Sequence, residues 1–472
     1  MEVLQRTANR GSISTGYDID NSLKFEADNT EIIYRANESG TNRKTFTTSL
    51  WFKRTELGAA QEVWHGGRNG EMVGIGILTY SGFADQLWVD VGGGTGNTGT
   101  LYRSASNQVI RDTSAWYHFV LAVDTTQGTE ANRMKVWLNG VEVTSWEQHQ
   151  IPAQNYQSAL EYGADMAWGG FRPNNSELFS GYLAECHYLD GVAKVQTDFG
   201  EYDEDSGIWI PKAYTGTYGN NGCYMKYNDS SALGADSSGN GNTFTLVNIA
   251  AADQATDTPT NNFCTFNAVN MSGNSAKLAE GATFTASTAN GAFTTYGTMA
   301  PSAGKWWWEG KIQVFESGST YACIGATTNL AGLPSVSAQL SGGHVIKLAK
   351  NQKWVLNDTG YTYGATYADA DIINVGLDLD NRKFYTYKNG TIDDANGIDI
   401  SSTTFDGFGS QWMPLVITYG SGGASSYEIN FGGYRTYGIG SPESDANGYG
   451  TFEYAPPSGY YALCSRNLSE LG

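Results

Sequence analysis

Two Asn-Gly pairs, at 139–140 and 389–390, constrain this chain more than any other feature. Met134-Lys135-Val136-Trp137-Leu138 leads into Asn139-Gly140 and then Val141-Glu142-Val143, and Lys383-Phe384-Tyr385-Thr386-Tyr387-Lys388 leads into Asn389-Gly390 and then Thr391-Ile392. Asparagine and glycine both tolerate positive φ, so each pair predicts a two-residue turn closing an antiparallel hairpin. One such hairpin in each half of a 472-residue chain predicts two β-domains, in line with roughly 100–200 residues per domain.

The surroundings extend this reading. Ala115-Trp116-Tyr117-His118-Phe119-Val120-Leu121-Ala122-Val123-Asp124 is apolar at nearly every position, which predicts a central strand covered on both faces. Further short runs broken by turns include Ser22–Phe25, Thr45–Lys53, Gln86–Val91 and Leu178–Tyr188 in the first half, and Lys305–Val314, Ile373–Leu379 and Tyr427–Phe431 in the second. Glycine at 59 residues against 10 prolines, with 13% aromatic and 16% charged residues, is the balance of tightly turned β-structure. We therefore expect an all-β chain of two tandem sandwiches. Residues 1–21 read as an arm that orders against a partner, 22–200 as the first sandwich, and 266–472 as the second. Residues 201–265, rich in Asn, Asp, Gly and Ser, read as an ordered bridge, because Ile208-Trp209-Ile210 and Cys223-Tyr224-Met225 should pack as strands.

Charge narrows the partners. With 28 Lys and Arg against 48 Asp and Glu the net charge is −20, so a nucleic-acid duplex or an anionic membrane is repelled by the average surface. No run approaches the roughly 18 continuous apolar residues of a spanning helix, and Met1–Arg6 lacks a basic segment followed by an apolar one, so we expect a soluble chain without a standard secretion signal. Five scattered cysteines form no C-x-x-C pair and are expected as buried thiols.

Residues 22–200 resemble the laminin-G-like, concanavalin-A-type sandwich. The resemblance rests on Leu23-Lys24-Phe25, Phe46–Lys53, Trp116-Tyr117-His118-Phe119, Leu138-Asn139-Gly140 and the closing Leu178–Glu185. The second half is similar to SPRY-type domains through Lys305-Trp306-Trp307-Trp308-Glu309-Gly310, Cys323-Ile324-Gly325, Val375–Asp380, Tyr387–Gly390 and Ile429-Asn430-Phe431-Gly432. That family shares the concanavalin-A-like sandwich, which implies two related jelly-roll cores. The whole arrangement, with its Leu4-Gln5-Arg6-Thr7 opening and the Asp257–Asn262 segment, resembles structural proteins of tailed bacteriophages, especially marine ones, displayed on tail fibres, spikes or capsids.

Concanavalin-A-like folds include glycosidases, which need two carboxylates about 5–10 Å apart. None of the strand-like runs named above carries carboxylates at i and i+2 with a third three residues later. Asp378 and Asp380 read as turn residues, and Glu201, Asp203, Glu204 and Asp205 as a solvated loop. His118 and His187 sit within apolar strands and read as core histidines. H-E-x-x-H, G-x-S-x-G and Walker-type motifs are missing from the sequence, so we expect no catalytic residues and no enzyme. His65, in the turn-like Trp64-His65-Gly66-Gly67, is a candidate ligand contact. Asp236, Asn240 and Asn242 place side-chain oxygens at spacings that suit a calcium loop, or alternatively an Asx-rich turn held by its own side chains. Trp306–Trp308 alternate across a strand and read mainly as core. The glycine-flanked Tyr361, Tyr363 and Tyr367 are candidate glycan or protein contacts.

The phage resemblance then implies a non-enzymatic virion protein on the particle exterior. It is expected to attach to other virion proteins through its N-terminal arm, to form a homotrimer, and to bind a host-surface glycan or protein through loops on rigid sandwiches. No nucleic acid, no membrane insertion and no cofactor other than calcium are expected. The alternatives are a purely structural brace between virion subunits and a glycan depolymerase.

Overall fold

The computed structural model describes residues 16–36, 42–68, 71–79, 82–92, 100–160, 165–272, 277–286, 292–315, 321–328, 344–348, 353–356, 359–401, 411–419 and 425–472. They are almost wholly β and fall into two compact units that divide between Thr260 and Asn261.

In the first unit, one antiparallel sheet runs Val141–Glu142, Met134–Leu138, Tyr117–Asp124, Thr45–Arg54, Gly181–Asp190, Ser22–Phe25 and Gln254–Ala255, with Cys223–Met225 paired to Gly181–Asp190. The facing sheet runs Trp146–Gln148, Leu101–Val109, Gln86–Gly92, Glu71–Leu78, Gln61–Arg68, Met166–Trp168, Ile32–Arg35 and Thr245–Val247. Alternation along the strands builds the core between them. Phe119, Leu121 and Val123 point inward with Leu50, Phe52, Leu183, Trp64, Ile75 and Val89. The intervening Val120 points outward and packs with Trp137, Leu189 and Phe199. The segment after Asp190 supplies Phe199, Tyr214 and Tyr218 as a second layer on that outer face. A strand covered on both faces has no solvated side, which explains why the run at 116–123 is apolar apart from the hydrogen-bonded His118.

The stretch read as a bridge is thus part of this sandwich up to Thr260. Cys223–Met225 and Gln254–Ala255 join one sheet, and Thr245–Val247 joins the other through Ile32–Arg35. The arm read over 1–21 is corrected over its last residues, which fold against the first unit. Ile19 is buried, and its backbone N–H donates to Thr260 Oγ1 at 3.1 Å while that hydroxyl donates back to the Ile19 carbonyl at 3.0 Å. Residues 1–15 lie outside the described residues.

The second unit is another two-sheet sandwich. One sheet runs Phe266–Ser272, Ala292–Gly297, Met413–Tyr419, Tyr321–Thr327, His344–Leu348, Lys353–Leu356 and Thr359–Thr362. The other runs Lys277–Ala279, Phe284–Ala286, Ser425–Asn430, Lys305–Phe315, Ile372–Asp378, Lys383–Lys388 and Thr391–Ile392. Trp306 and Trp308 enter the inter-sheet core, and Trp307 packs on the opposite face with Phe263, Tyr387, Phe452 and Tyr460. The short helix Ser465–Leu471 closes the chain.

Both units use the same hairpin device. Asn139 and Asn389 have φ of 49° and 48°, and Gly140 and Gly390 follow at 79° and 77°. The asparagine side chains then accept a backbone N–H from the neighbouring strand, that of His118 at 2.7 Å and that of Ile372 at 2.8 Å. A turn that also caps its neighbour fixes register at the sheet edge.

Candidate functional site

The residues singled out in sequence do not gather into one site. His65 lies inside the strand Gln61–Arg68, not in an exposed turn, and is fully buried. Its Nδ1 is 3.2 Å from Glu62 Oε1, its Nε2 is 3.2 Å from the Gly67 carbonyl, and Phe171 meets its ring edge-on. A ligand cannot reach it there. Tyr363 and Tyr367 also prove to be core residues, because the loop that looked open folds over the second sandwich. The Tyr367 phenol donates to Asp393, which also accepts from Thr386 Oγ1 at 2.6 Å and the Ala365 N–H at 3.0 Å. Tyr361 belongs to the strand Thr359–Thr362.

Asp236, Asn240 and Asn242 do act together, but as a hydrogen-bonded knot. Asp236 Oδ1 accepts the N–H groups of Tyr224 at 2.9 Å and Ser238 at 2.8 Å; its Oδ2 accepts the Asn242 N–H and the Ser238 hydroxyl, both at 2.8 Å. Asn240 donates to the carbonyls of Gly219 (2.6 Å) and Gly222 (2.9 Å), and Asn242 to those of Asn220 and Gly222, both at 2.9 Å. A calcium ligand set needs oxygens free to face a cation. Here the carboxylate faces donors, and the amide nitrogens are spent on loop carbonyls. The Asx-turn alternative describes the geometry, and its effect is to brace loop 219–224.

That loop delivers Tyr218 and Tyr224 to the outer face of the first sandwich, where the most unusual polar group of the unit lies. In the strand Gly181–Asp190 the pairing to Thr45–Arg54 slips between Ala184 and His187, and Glu185, at the slip, has φ 50°. A β-bulge re-aims a side chain, and a non-glycine residue in this region is held only when its surroundings demand it. Those surroundings are explicit. The Tyr224 phenol donates to Glu185 Oε1 at 2.5 Å, the Tyr17 phenol to Oε2 at 2.7 Å, and the two phenol oxygens are 3.0 Å apart. His187 Nε2 lies 3.6 Å from Oε2, its Nδ1 is 3.0 Å from the Tyr218 hydroxyl, and its ring stacks on Tyr224 with centroids 4.3 Å apart.

Burial pushes the Glu185 carboxyl up, but contact with His187 and the two phenol donors outweigh it and hold it below its ordinary value. It stays an anion with Tyr17, Tyr218 and Tyr224, each half-buried, around it. Burial, reinforced by the Glu185 charge, pushes all three phenols upward, so they remain donors. Glu185 itself is buried, and the partly exposed groups around it are the three tyrosines, a residue type that suits hydroxyl-rich or aromatic ligands.

Sequence reading missed this cluster for identifiable reasons. The bulge is invisible in Leu183-Ala184-Glu185-Cys186-His187, where Glu185 reads as an ordinary strand residue, and Tyr17 falls in what looked like an arm. His118, read as a hydrogen-bonded core histidine, is one. Trp209 Nε1–H donates to its Nδ1 at 2.9 Å, so its proton sits on Nε2 and points to Ser49 Oγ, also 2.9 Å away. Burial drives its pKa down to about 3. Asp378 likewise takes a turn role, accepting from the Asn381 backbone and side chain and from Lys305.

Residues 17–196 match the model of the concanavalin A-like lectin/glucanases superfamily (Laminin_G_3). The first unit is thus a concanavalin-A-like sandwich, and the match begins at Tyr17 rather than after it. Among solved structures, the chain is similar to the SPRY domain of human HERC1 at 16% identity, covering 35% of this chain and 96% of that one with a TM-score of 0.29. A human SPRY domain follows at 13% identity, 34% and 96% coverage and a TM-score of 0.25. Stonustoxin is similar at 12% identity, 35% and 27% coverage and a TM-score of 0.25. No curated protein matches the sequence.

Proposed function

We propose that this chain is a non-enzymatic structural protein of a bacteriophage virion, placed on a tail fibre, spike or capsid surface, that adheres to a host-surface glycan through the outer face of its first sandwich. The observation that carries the binding reading is Glu185, a charged acceptor set on a strained bulge and surrounded by three half-buried tyrosines. The concanavalin A-like lectin/glucanases match supports a carbohydrate-facing role for the same unit. The groups on Glu185, two phenols and an imidazole, support a hydroxyl-binding reading of this face. The virion setting follows from the sequence resemblance alone, as do attachment through the N-terminal residues and trimeric assembly, which multiplies a weak single site into avid binding.

Immunogold labelling of intact particles with antibody to this chain, paired with adhesion of the purified chain to host cells, tests the proposal. The expected result is label on the particle exterior and adhesion that added cell-wall polysaccharide competes away. Label on the particle without adhesion to cells or polysaccharide identifies a structural brace instead, and release of reducing ends from the polysaccharide identifies a depolymerase.

A further inference from the structure

We infer that the first unit closes on itself covalently: the Lys24 amine and the Asp253 carboxyl form an intramolecular amide, with Glu31 as the proton carrier. The bond is independent of the saccharide reading above. Register, chemistry and topology all point to it.

Register brings the pair together. Leu23 and Phe25 point into the core, so Lys24 points to the opposite face of its sheet. The edge pairing of Ser22 with Ala255 and of Leu23 with Gln254, carried on by one residue, sets Lys24 across from Asp253, at the end of the turn Ala251–Asp253. Lys24 is buried, and its Nζ lies 3.0 Å from Asp253 Oδ1 and 2.9 Å from Glu31 Oε1. The Asp253 carboxyl carbon is one bond from the atom that Lys24 touches, so the nucleophile is held against its target.

Chemistry gives each group its role. The Ala250 N–H donates to Asp253 Oδ2 at 2.8 Å. Oδ2 is thereby placed to become the amide carbonyl, with that N–H meeting the charge that develops on it at the tetrahedral stage, and Oδ1, on the lysine side, is the leaving oxygen. Glu31 Oε1 accepts from Lys24 and from Asn29 Nδ2 at 3.2 Å, whereas Oε2 is buried with no partner among the described residues, a setting that favours a proton over a charge. Burial lifts this carboxyl to about 7 although the Lys24 charge draws it down, which suits it to moving protons near neutral pH.

The step balances without a further reactant. Glu31 takes a proton from the Lys24 ammonium, the freed amine attacks Asp253 Cγ to form the C–N bond, and the bond from Cγ to Oδ1 breaks. Two of the ammonium's three protons leave with Oδ1 as water, the first of them carried by Glu31, and the third stays on the amide nitrogen. The product also removes the cost of keeping an ammonium and a carboxylate away from water.

Topology gives the bond a purpose. Lys24 lies in the first strand of the unit and Asp253 shortly before its end at Thr260, so the amide encloses nearly the whole sandwich. Tension between the two ends of the unit then runs through Lys24 and Asp253 and leaves the strands between them unloaded, where the two-residue edge strand Gln254–Ala255 alone would peel.

The test is the intact mass of the purified full chain in denaturant, followed by tryptic mapping, beside Lys24→Arg and Glu31→Gln with circular dichroism as the fold control. Wild type should weigh one water less than its sequence and yield a branched peptide joining Lys24 to Asp253, and both variants should keep the full mass. If a variant does not fold, the wild-type mass and branch decide. Wild type at full mass after incubation at neutral pH overturns the bond and leaves a buried ion pair. A missing water without that branch, or a branch at the other buried pair, Lys53 and Asp257 at 2.7 Å, also overturns it. A branch that forms equally fast in Glu31→Gln upholds the bond and overturns the role of Glu31.

Discussion

Replacing Asp236 by alanine separates a hydrogen-bonded knot from a calcium loop. The carboxylate accepts three backbone N–H groups, from Tyr224, Ser238 and Asn242, plus the Ser238 hydroxyl. Asp236 is half-buried, so water recovers part of what is lost. At about 1 kcal/mol for each backbone donor, Asp236→Ala should destabilise the first unit by about 3 kcal/mol. For a unit of this size that lowers Tm by roughly 6–12 °C, at about 2–4 °C per kcal/mol. Asp236→Asn keeps one acceptor oxygen and should lose about half as much. Thermal scans of the three proteins, each with calcium and with chelator, give the answer. Calcium should move none of the transitions, because both oxygens of the one carboxylate in the loop already face N–H and O–H donors. A wild-type Tm that rises with calcium while that of Asp236→Ala does not would refute the knot and restore the cation site.

Two further predictions concern buried carboxylates. Glu62 is fully buried; burial lifts its pKa to about 7 although the His65 imidazole draws it down, and its Oε2 finds no partner among the described residues. A carboxyl whose folded pKa is raised contributes stability that is complete below the unfolded value of about 4.5 and is lost as pH rises through about 7. Urea midpoints of wild type should therefore fall between pH 5 and pH 8, whereas Glu62→Gln should match it at pH 5 and exceed it by about 3 kcal/mol at pH 8; equal pH slopes in the two proteins would count against this. Glu309, in the second unit, is also lifted by burial, to about 6, but differs in that both its oxygens are satisfied. Its two oxygens accept from Asn374, Asn430, Tyr437 and the N–H groups of Glu453 and Tyr454, all of them donors. Glu309→Gln turns an amide NH2 toward donors and should destabilise that unit by about 3 kcal/mol in chemical denaturation, a neutral effect being the contrary result.

How much of this was legible in the sequence depends on whether a residue's role is local. The Asn-Gly turns and the run at 116–123 declared themselves, because φ preference and two-sided burial leave marks on consecutive residues. Trp306–Trp308 followed from strand alternation. Residues whose role is set by distant partners did not. Tyr363 and Tyr367 looked exposed because glycines flank them, yet the fold covers that loop. His65 sits beside Gly66 and Gly67, of which Gly66 serves close packing, since a Cβ there would lie 2.2 Å from the Leu160 side chain, and Gly67 takes φ 121°. Tyr17 and Glu185 meet across 168 residues through a bulge, and no short-range pattern encodes either the slip in register or the partner. The Asp236 cluster lies between these cases. Its composition signalled a side-chain-organised loop, and only the positions of the Gly219 and Gly222 carbonyls show what it organises.

Glu185 is proposed as the ligand acceptor of the first sandwich, and calorimetric titration of an oligosaccharide into wild type and Glu185→Gln measures that role. Removing the charge while keeping the shape should weaken binding about tenfold or more, with the loss in enthalpy, because the ligand's hydroxyls then meet an uncharged amide. Equal affinity and enthalpy in the two proteins, with equal melting temperatures, would contradict it.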